Sequence, residues 1–263
     1  MNKLKLHIDW NYNIIAKDDY IWVNANPDEA DVIISVNRIS NFNQKAKKIL
    51  WLLEPRAIEF DLYRIVENRK INYDFVVSHL DTLNAKIDTI QIAPCVPSWI
   101  NKEDRMVYKK SKDVSMIAST KAKCQGHRYR QEIASKLHDY VDLYGEGREK
   151  KLEYKLDGLK DYRFSVAMEN SCADTYFTEK LLDCFLTGTV PIYWGTKCIS
   201  KIFDHDGIIY LDDFMNRVES FDFTKEYEDR EKAIIKNLEI AESLNFKVED
   251  GIHKIIEKVY NII

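Results

Sequence analysis

The stretch 162-YRFSVAMENSCADTYFTEKLLDCFLTGTVPIYWG-195 divides into three parts. An apolar strand, RFSVAME, ends at Glu169-Asn170. A polar loop follows, and a helix opens near Thr178 and leads into a second apolar strand, TVPIYW. Short apolar runs between polar segments read as strands covered on both faces, and strands alternating with helices imply a parallel, doubly wound sheet. Ligands of such sheets sit beyond the carboxyl ends of the strands, so a site is expected just after this first strand.

The same alternation runs through the rest of the chain. KLKLHID, ADVIISV, KILWLL, YDFVVS and DTIQIAP read as strands in the first part, with the helix-sized 56-RAIEFDLYRIVEN-68 among them. DVSMIAS, VDLYG and GIIYL follow in the second part, with helices expected near 127–139, 177–187, 197–204 and 223–244. The polar, basic NKEDRMVYKKSK over 101–112 reads as a linker. The expected organisation is an N-terminal α/β domain over 1–105, a second over 112–246, and an amphipathic helix over 247–263. In that helix Ile252, Ile255, Ile256, Val259 and Ile262 recur at helical spacing, and it is expected to pack back on the first domain.

Composition narrows the function classes. Of 263 residues, 45% are hydrophobic and 31% charged, which describes a globular protein with a sizeable core rather than a disordered chain. Acids and bases are interspersed to a net charge of -4, so no global basic field exists for nucleic acid, and an anionic ligand must be met locally. Cys95, Cys124, Cys172, Cys184 and Cys198 are odd in number and lack a CxxC pair. They read as reduced thiols, and a cytoplasmic location is expected. No run approaches the roughly 20 apolar residues of a membrane span, although peripheral membrane contact is compatible with the sequence.

Glu179 and Lys180 stand side by side at the helix start. A helix N-terminus with a lysine attracts phosphate, and the adjacent carboxylate accepts hydrogen bonds from sugar or ribose hydroxyls. A capping reading also accounts for them, with Thr178 as N-cap, Glu179 as first-turn acid and Lys180 on a solvated face.

These residues resemble the α-1,3/1,4-fucosyltransferases, glycosyltransferase family 10, in the microbial or viral form without a membrane anchor. The resemblance rests on Glu169-Asn170-Ser171, Tyr176, Thr178-Glu179-Lys180, Gly188, Val190-Pro191 and Gly195. It extends more weakly through 127-HRYRQEIASKLHDYVDLYG-145 and 207-GIIYLDDF-214. It implies an α/β fold of GT-B architecture, two Rossmann-like domains with parallel sheets facing across a cleft. Lys180 and Arg130, with Arg128 as its rival, would hold the diphosphate of GDP-fucose. Asn170, Tyr176 and Glu179 would contact the donor. Fixed cations would replace a metal, so no metal or other cofactor is expected. Asp18-Asp19 reads as a polar loop, and Asp212-Asp213 as helix capping.

Inverting transfer needs a carboxylate to take the acceptor's proton. In 48-KILWLLEPRAI-58 an apolar strand ends in Glu54, as in the family's segment that carries a catalytic Glu. Here Glu54 lies between Leu53 and Pro55, where the family commonly has Gly and Asn. The following 73-YDFVVSHLD-81 resembles the family's next strand and places His79 as a weaker acceptor-side candidate. Trp10, Trp22 and Trp99 read as core before sugar-stacking platforms, and Gly145 and Gly147 as a turn the donor could approach. The expected function is inverting transfer of fucose from GDP-fucose to a hydroxyl of an oligosaccharide, polysaccharide or lipid-linked glycan, in an α-1,3 or related linkage. Another nucleotide-sugar donor, or a catalytically silent glycan- or nucleotide-binding module, is the alternative.

Overall fold

The structure, a computed structural model, describes residues 3–11, 13–17, 19–42, 45–69, 71–80, 83–92, 97–173, 175–244 and 247–260. The chain forms two compact units. The first comprises Met1–Val96, Ala173–Tyr176 and Phe246–Ile263, and the second Pro97–Cys172 and Phe177–Asn245. The division falls at Val96–Pro97, upstream of the polar 101–112 segment, and the short piece 173–176 groups with the first unit.

In the first unit six parallel strands form one sheet: β1 (Leu4–Asp9), β2 (Trp22–Asn24), β3 (Val32–Val36), β4 (Lys47–Leu52), β5 (Phe75–Ser78) and β6 (Asp88–Gln91). Their order is β2-β1-β3-β4-β5-β6. The three-residue β2 is too short to show as a run in the sequence. The side chains of β4 alternate as the two-residue strand period requires. Ile49, Trp51 and Leu53 enter one apolar cluster, while Leu50 and Leu52 enter another with Leu62, Tyr63 and Val66 of helix α1 (Phe60–Asn68). This helix starts later than the sequence pattern suggests, because Pro55 opens a turn in which Ile58 and Glu59 N–H donate to its carbonyl.

In the second unit five parallel strands take the order β11-β10-β9-β7-β8, with β7 at Lys112–Ile117, β8 at Asp142–Tyr144, β9 at Tyr162–Met168, β10 at Val190–Trp194 and β11 at Ile209–Tyr210. Helix α2 (Gln125–Lys136) follows β7, and α3 (Glu179–Phe185) joins β9 to β10. The expected helix at 197–204 is a 3₁₀ turn over Lys197–Lys201, started by Thr196, whose hydroxyl accepts from Cys198 N–H. Leu211 leaves the strand early and starts α4 (Leu211–Met215). The expected 223–244 helix is two pieces, α5 (Phe223–Glu228) and α6 (Glu231–Ser243), interrupted at Asp229-Arg230.

The C-terminal helix α7 (Val248–Tyr260) puts Val248, Ile252, Ile255, Ile256 and Val259 into the same cluster as Leu6, Val32, Ile34 and Ile49 of the first sheet. Ile262 lies outside the described residues. At the start of α7, Asp250 accepts from the Tyr20 hydroxyl and from Lys17 Nζ at 3.1 Å. The helix that ends the sequence thus completes one face of the sheet that begins it.

Candidate active site

In both sheets the strand order reverses after the first strand, between β1 and β3 and between β7 and β9. The crevice at such a reversal, at the carboxyl ends of the strands, is where α/β sheets bind ligands. In the second unit this point is built from the end of β9 and the start of α2.

Arg130 of α2 is buried, and its Nη2 donates to Met168 O at 2.5 Å, Glu169 O at 3.1 Å and Asn170 Oδ1 at 3.1 Å. One guanidinium therefore gathers the carbonyls at and just past the end of β9 and the side chain of Asn170. Gly126 permits the approach, since a Cβ there would lie 2.8 Å from the Asn170 carbonyl carbon. Arg128, two residues earlier, is exposed and lines an open cavity of about 390 Å³ with Gln125, Tyr129, Glu132 and Trp194. The Tyr129 and Trp194 rings lie 5.3 Å apart, centre to centre.

Glu169 is fully buried and accepts two bonds from Thr178: the N–H at 2.8 Å and the hydroxyl at 2.7 Å. Burial raises its pKa, with the Lys180 charge working the other way. Thr178 is the N-cap of α3, so Glu169 holds that cap in place. Lys180 Nζ lies 2.9 Å from Glu179 Oε1, 3.1 Å from Thr178 Oγ1 and 3.8 Å from Glu169 Oε2. Burial pushes the Glu179 carboxyl up, but the charges of Lys180 and Lys155 and bonds from Lys180 and Thr178 outweigh it and hold the group at about 2. Glu179 is thus an ionised acceptor at neutral pH. Capping and charge pairing both occur, because Thr178 caps while Lys180 turns inward to the carboxylates. Helix α3 is only two turns long, so the positive potential here comes from side chains more than from a helix macrodipole.

Tyr176 and His79 meet within the first unit. Their ring centres are 5.1 Å apart, and the Thr175 hydroxyl donates to His79 O at 2.6 Å. Both side chains are 2% exposed. His79 Nε2 is 3.4 Å from the Tyr63 hydroxyl, which donates to Glu54 O at 3.1 Å. Burial lowers the His79 pKa to about 4, so the ring is neutral at pH 7. Glu54 is half-buried just past β4, next to the β1/β3 reversal. Asn37 fixes its backbone: the Asn37 Oδ1 accepts from Leu53 N–H at 2.8 Å and Glu54 N–H at 3.1 Å, and the residue takes a left-handed conformation with φ 54°.

The structure also places groups that no sequence motif marks. Asp183 lies one turn after Glu179 and is fully buried, with Lys155 Nζ at 2.7 Å and the Ser98 hydroxyl at 2.6 Å. Its one signal in the sequence is an acid on an apolar helix, which must find a partner. Gly145 and Gly147 are left-handed, but the space beside them is filled by Ala118, Ser119 and Thr120 of the protein itself. Trp22 is core and Trp99 is 70% exposed.

Among the described residues, one group, Asp204, His205 and Asp206, could offer three metal ligands within 4.8 Å of one another. It is an exposed capped turn in which Asp204 accepts from Asp206 N–H and pairs with Lys236 at 2.9 Å. Asp212 and Asp213 lie in the first turn of α4, and Asp18 is outside the described residues. Cys124, Cys172, Cys184 and Cys198 are free thiols, and Cys95 is outside the described residues. No helix among the described residues is long and apolar enough to cross a membrane.

Known proteins resemble this chain in sequence and in fold. The family model of the glycosyltransferase family 10 (fucosyltransferase) C-terminal region matches residues 107–254, more than half of the chain. An alpha-(1,3)-fucosyltransferase of Helicobacter pylori is 35% identical over 71 residues, 27% of this chain and 15% of that protein. Alpha-(1,3)-fucosyltransferase C of Drosophila melanogaster is 26% identical over 176 residues, 60% of this chain and 40% of that protein. The chain thus spans less than half the length of these curated relatives. A crystal structure of an alpha1,3-fucosyltransferase superposes with a TM-score of 0.58 at 19% identity, covering 90% of this chain and 80% of that one. Another, with GDP-fucose, gives 0.52 at 16% identity, covering 91% and 81%. At such identities the superpositions speak for the fold, which is that of GT-B fucosyltransferases, while the family model speaks for kinship: the chain belongs to glycosyltransferase family 10, the fucosyltransferases.

Proposed function

We propose that the protein transfers fucose from GDP-fucose to a hydroxyl of a glycan, with inversion and in an α-1,3 or related linkage. The observation that carries this reading is the corner at the end of β9, where an ionised, nearly buried Glu179 is paired with Lys180 beside Asn170 and Arg130. In this reading Lys180 and one of the two arginines, Arg130 or Arg128, neutralise the diphosphate as the bond from its oxygen to the fucose anomeric carbon breaks. Glu179 accepts hydrogen bonds from ribose or fucose hydroxyls. Tyr176, packed on His79, sets the course of the loop before α3, so both would act by shaping the site. Glu54 takes the proton of the acceptor hydroxyl as its oxygen bonds to the anomeric carbon, and the fixed cations carry the charge of the leaving group without an obligatory metal.

A thermal-shift panel of GDP, GDP-fucose, GDP-mannose and uridine diphosphate sugars tests the donor, with selective stabilisation by GDP and GDP-fucose expected. Lys180→Ala should weaken GDP binding at least about tenfold by calorimetry, the loss of one charge-assisted contact. Glu54→Ala should bind GDP-fucose as the parent does but lose transfer. Equal stabilisation by uridine sugars would point to another donor. Binding with neither transfer nor hydrolysis would identify a silent binding module.

A further inference from the structure

Glu179 and Asp183 are four residues apart on α3 and share one face of it. Glu169, from the end of β9, makes a third carboxylate in the same buried patch, and two ammonium groups, Lys180 and Lys155, pair with these acids. Lys180 is divided between Glu179, Glu169 and the Thr178 hydroxyl. Lys155 comes from the 3₁₀ turn Lys155–Gly158 and pairs with Asp183 Oδ2 at 2.7 Å. The other Asp183 oxygen accepts the Ser98 hydroxyl at 2.6 Å and the Trp99 N–H at 3.1 Å. Lys155 and Lys180 both line one small cavity of about 30 Å³ between β9 and α3, together with Ser165, Met168 and Cys184.

We infer that Lys155 is a positioning residue, the resident counter-ion of the α3 carboxylates, which keeps Glu179 ionised when Lys180 lends its ammonium to the diphosphate of a nucleotide sugar. The inference rests on the donor reading above. A lysine that neutralises a buried carboxylate and also binds an anion must divide its charge between them. As the anion enters, a Glu179 without a second cation would meet the penalty of burial uncompensated, take up a proton and lose part of its capacity to accept donor hydroxyls. Lys155 removes that conflict, because its own pairing with Asp183 fixes its position independently of the ligand. The groups around Glu179 are Glu169 just past β9, the Thr178 hydroxyl, Lys180, Asp183 and Cys184 on α3, and Lys155. Of these the Cys184 thiol is pushed up to about 12, first by burial, and stays neutral.

Lys155→Met alone would strand Asp183, so the pair is removed together as Lys155→Met/Asp183→Asn, with folding checked by circular dichroism. The readout is the Glu179 carboxyl resonance in ¹³C-glutamate-labelled protein, assigned through Glu179→Gln. In Lys180→Met, which imitates a Lys180 engaged elsewhere, Glu179 should stay charged down to about pH 5. In the triple variant Lys180→Met/Lys155→Met/Asp183→Asn it should titrate at least about one unit higher than in Lys180→Met/Asp183→Asn, which differs from it at Lys155 alone, the effect of one lost neighbouring cation. The double variant with Lys180 intact should lose affinity for GDP-fucose, whose diphosphate is esterified at both ends and does not titrate in this range, about tenfold between pH 8 and pH 5 where the parent stays flat, and Lys155→Arg should restore the parent profile. Identical Glu179 titration with and without Lys155 would overturn the inference. A shifted titration upholds the role of Lys155 even if the parent fails to bind GDP, which would defeat the donor reading instead.

Discussion

At the scale of single residues, the chemistry lies in side chains whose charge is decided by burial. Glu179 and His79 are opposite cases. Two lysines keep the nearly buried acid charged, while burial lowers the imidazole pKa and keeps the ring neutral to about pH 4. The linkage sign follows from proton counts. Between the ordinary histidine value and about 4 the unfolded chain binds the proton and the folded one does not, so stability is full above about pH 6.5 and falls as pH drops. The loss is on the order of 3 kcal/mol by pH 4. His79→Leu should flatten the dependence of unfolding free energy on pH between about 4.5 and 7, measured by urea titration. Parallel curves for parent and variant would show that His79 is not the group responsible.

At the scale of elements, the site depends on how closely α2 can approach the end of β9. Gly126 sets that distance, and Arg130 then gathers Met168 O, Glu169 O and Asn170 Oδ1. Gly126→Ala would force the helix start away from the strand end. The expected cost is about 1–3 kcal/mol, read as a lower Tm, and, under the proposed donor site, weaker GDP binding because Asn170 and Arg130 move with it. An unchanged Tm would mean that the first turn of α2 gives way locally at no cost. The motif Thr178-Glu179-Lys180 is legible in the sequence as a helix start. Its partner Glu169 is legible only as the end of a strand, because the bonds from Thr178 to Glu169 join residues nine positions apart through the loop between them.

At the scale of the molecule, the first sheet is completed by the last helix. Ile256 of α7 is fully buried among residues of β1, β3 and β4. Ile256→Ala should cost about 2–5 kcal/mol and lower amide-exchange protection in those three strands. Unaltered protection there would show that α7 does not carry that face. The amphipathic spacing of 247–263 announces a packed helix, but periodicity cannot name the surface it packs on.

The order of strands and helices, the two α/β units and the Thr178-Glu179-Lys180 helix start were determined by the sequence itself, because apolar periodicity and local motifs are properties of neighbouring residues. Glu54 at the end of β4 was legible in the same way. Only tertiary structure decided that Arg130 is turned inward and Arg128 outward, that Asn37 and Tyr63 hold the backbone of Glu54, and that Lys155 pairs with Asp183. These pairings join residues remote in the chain, and a buried charge selects its partner by distance in space, which no local pattern encodes.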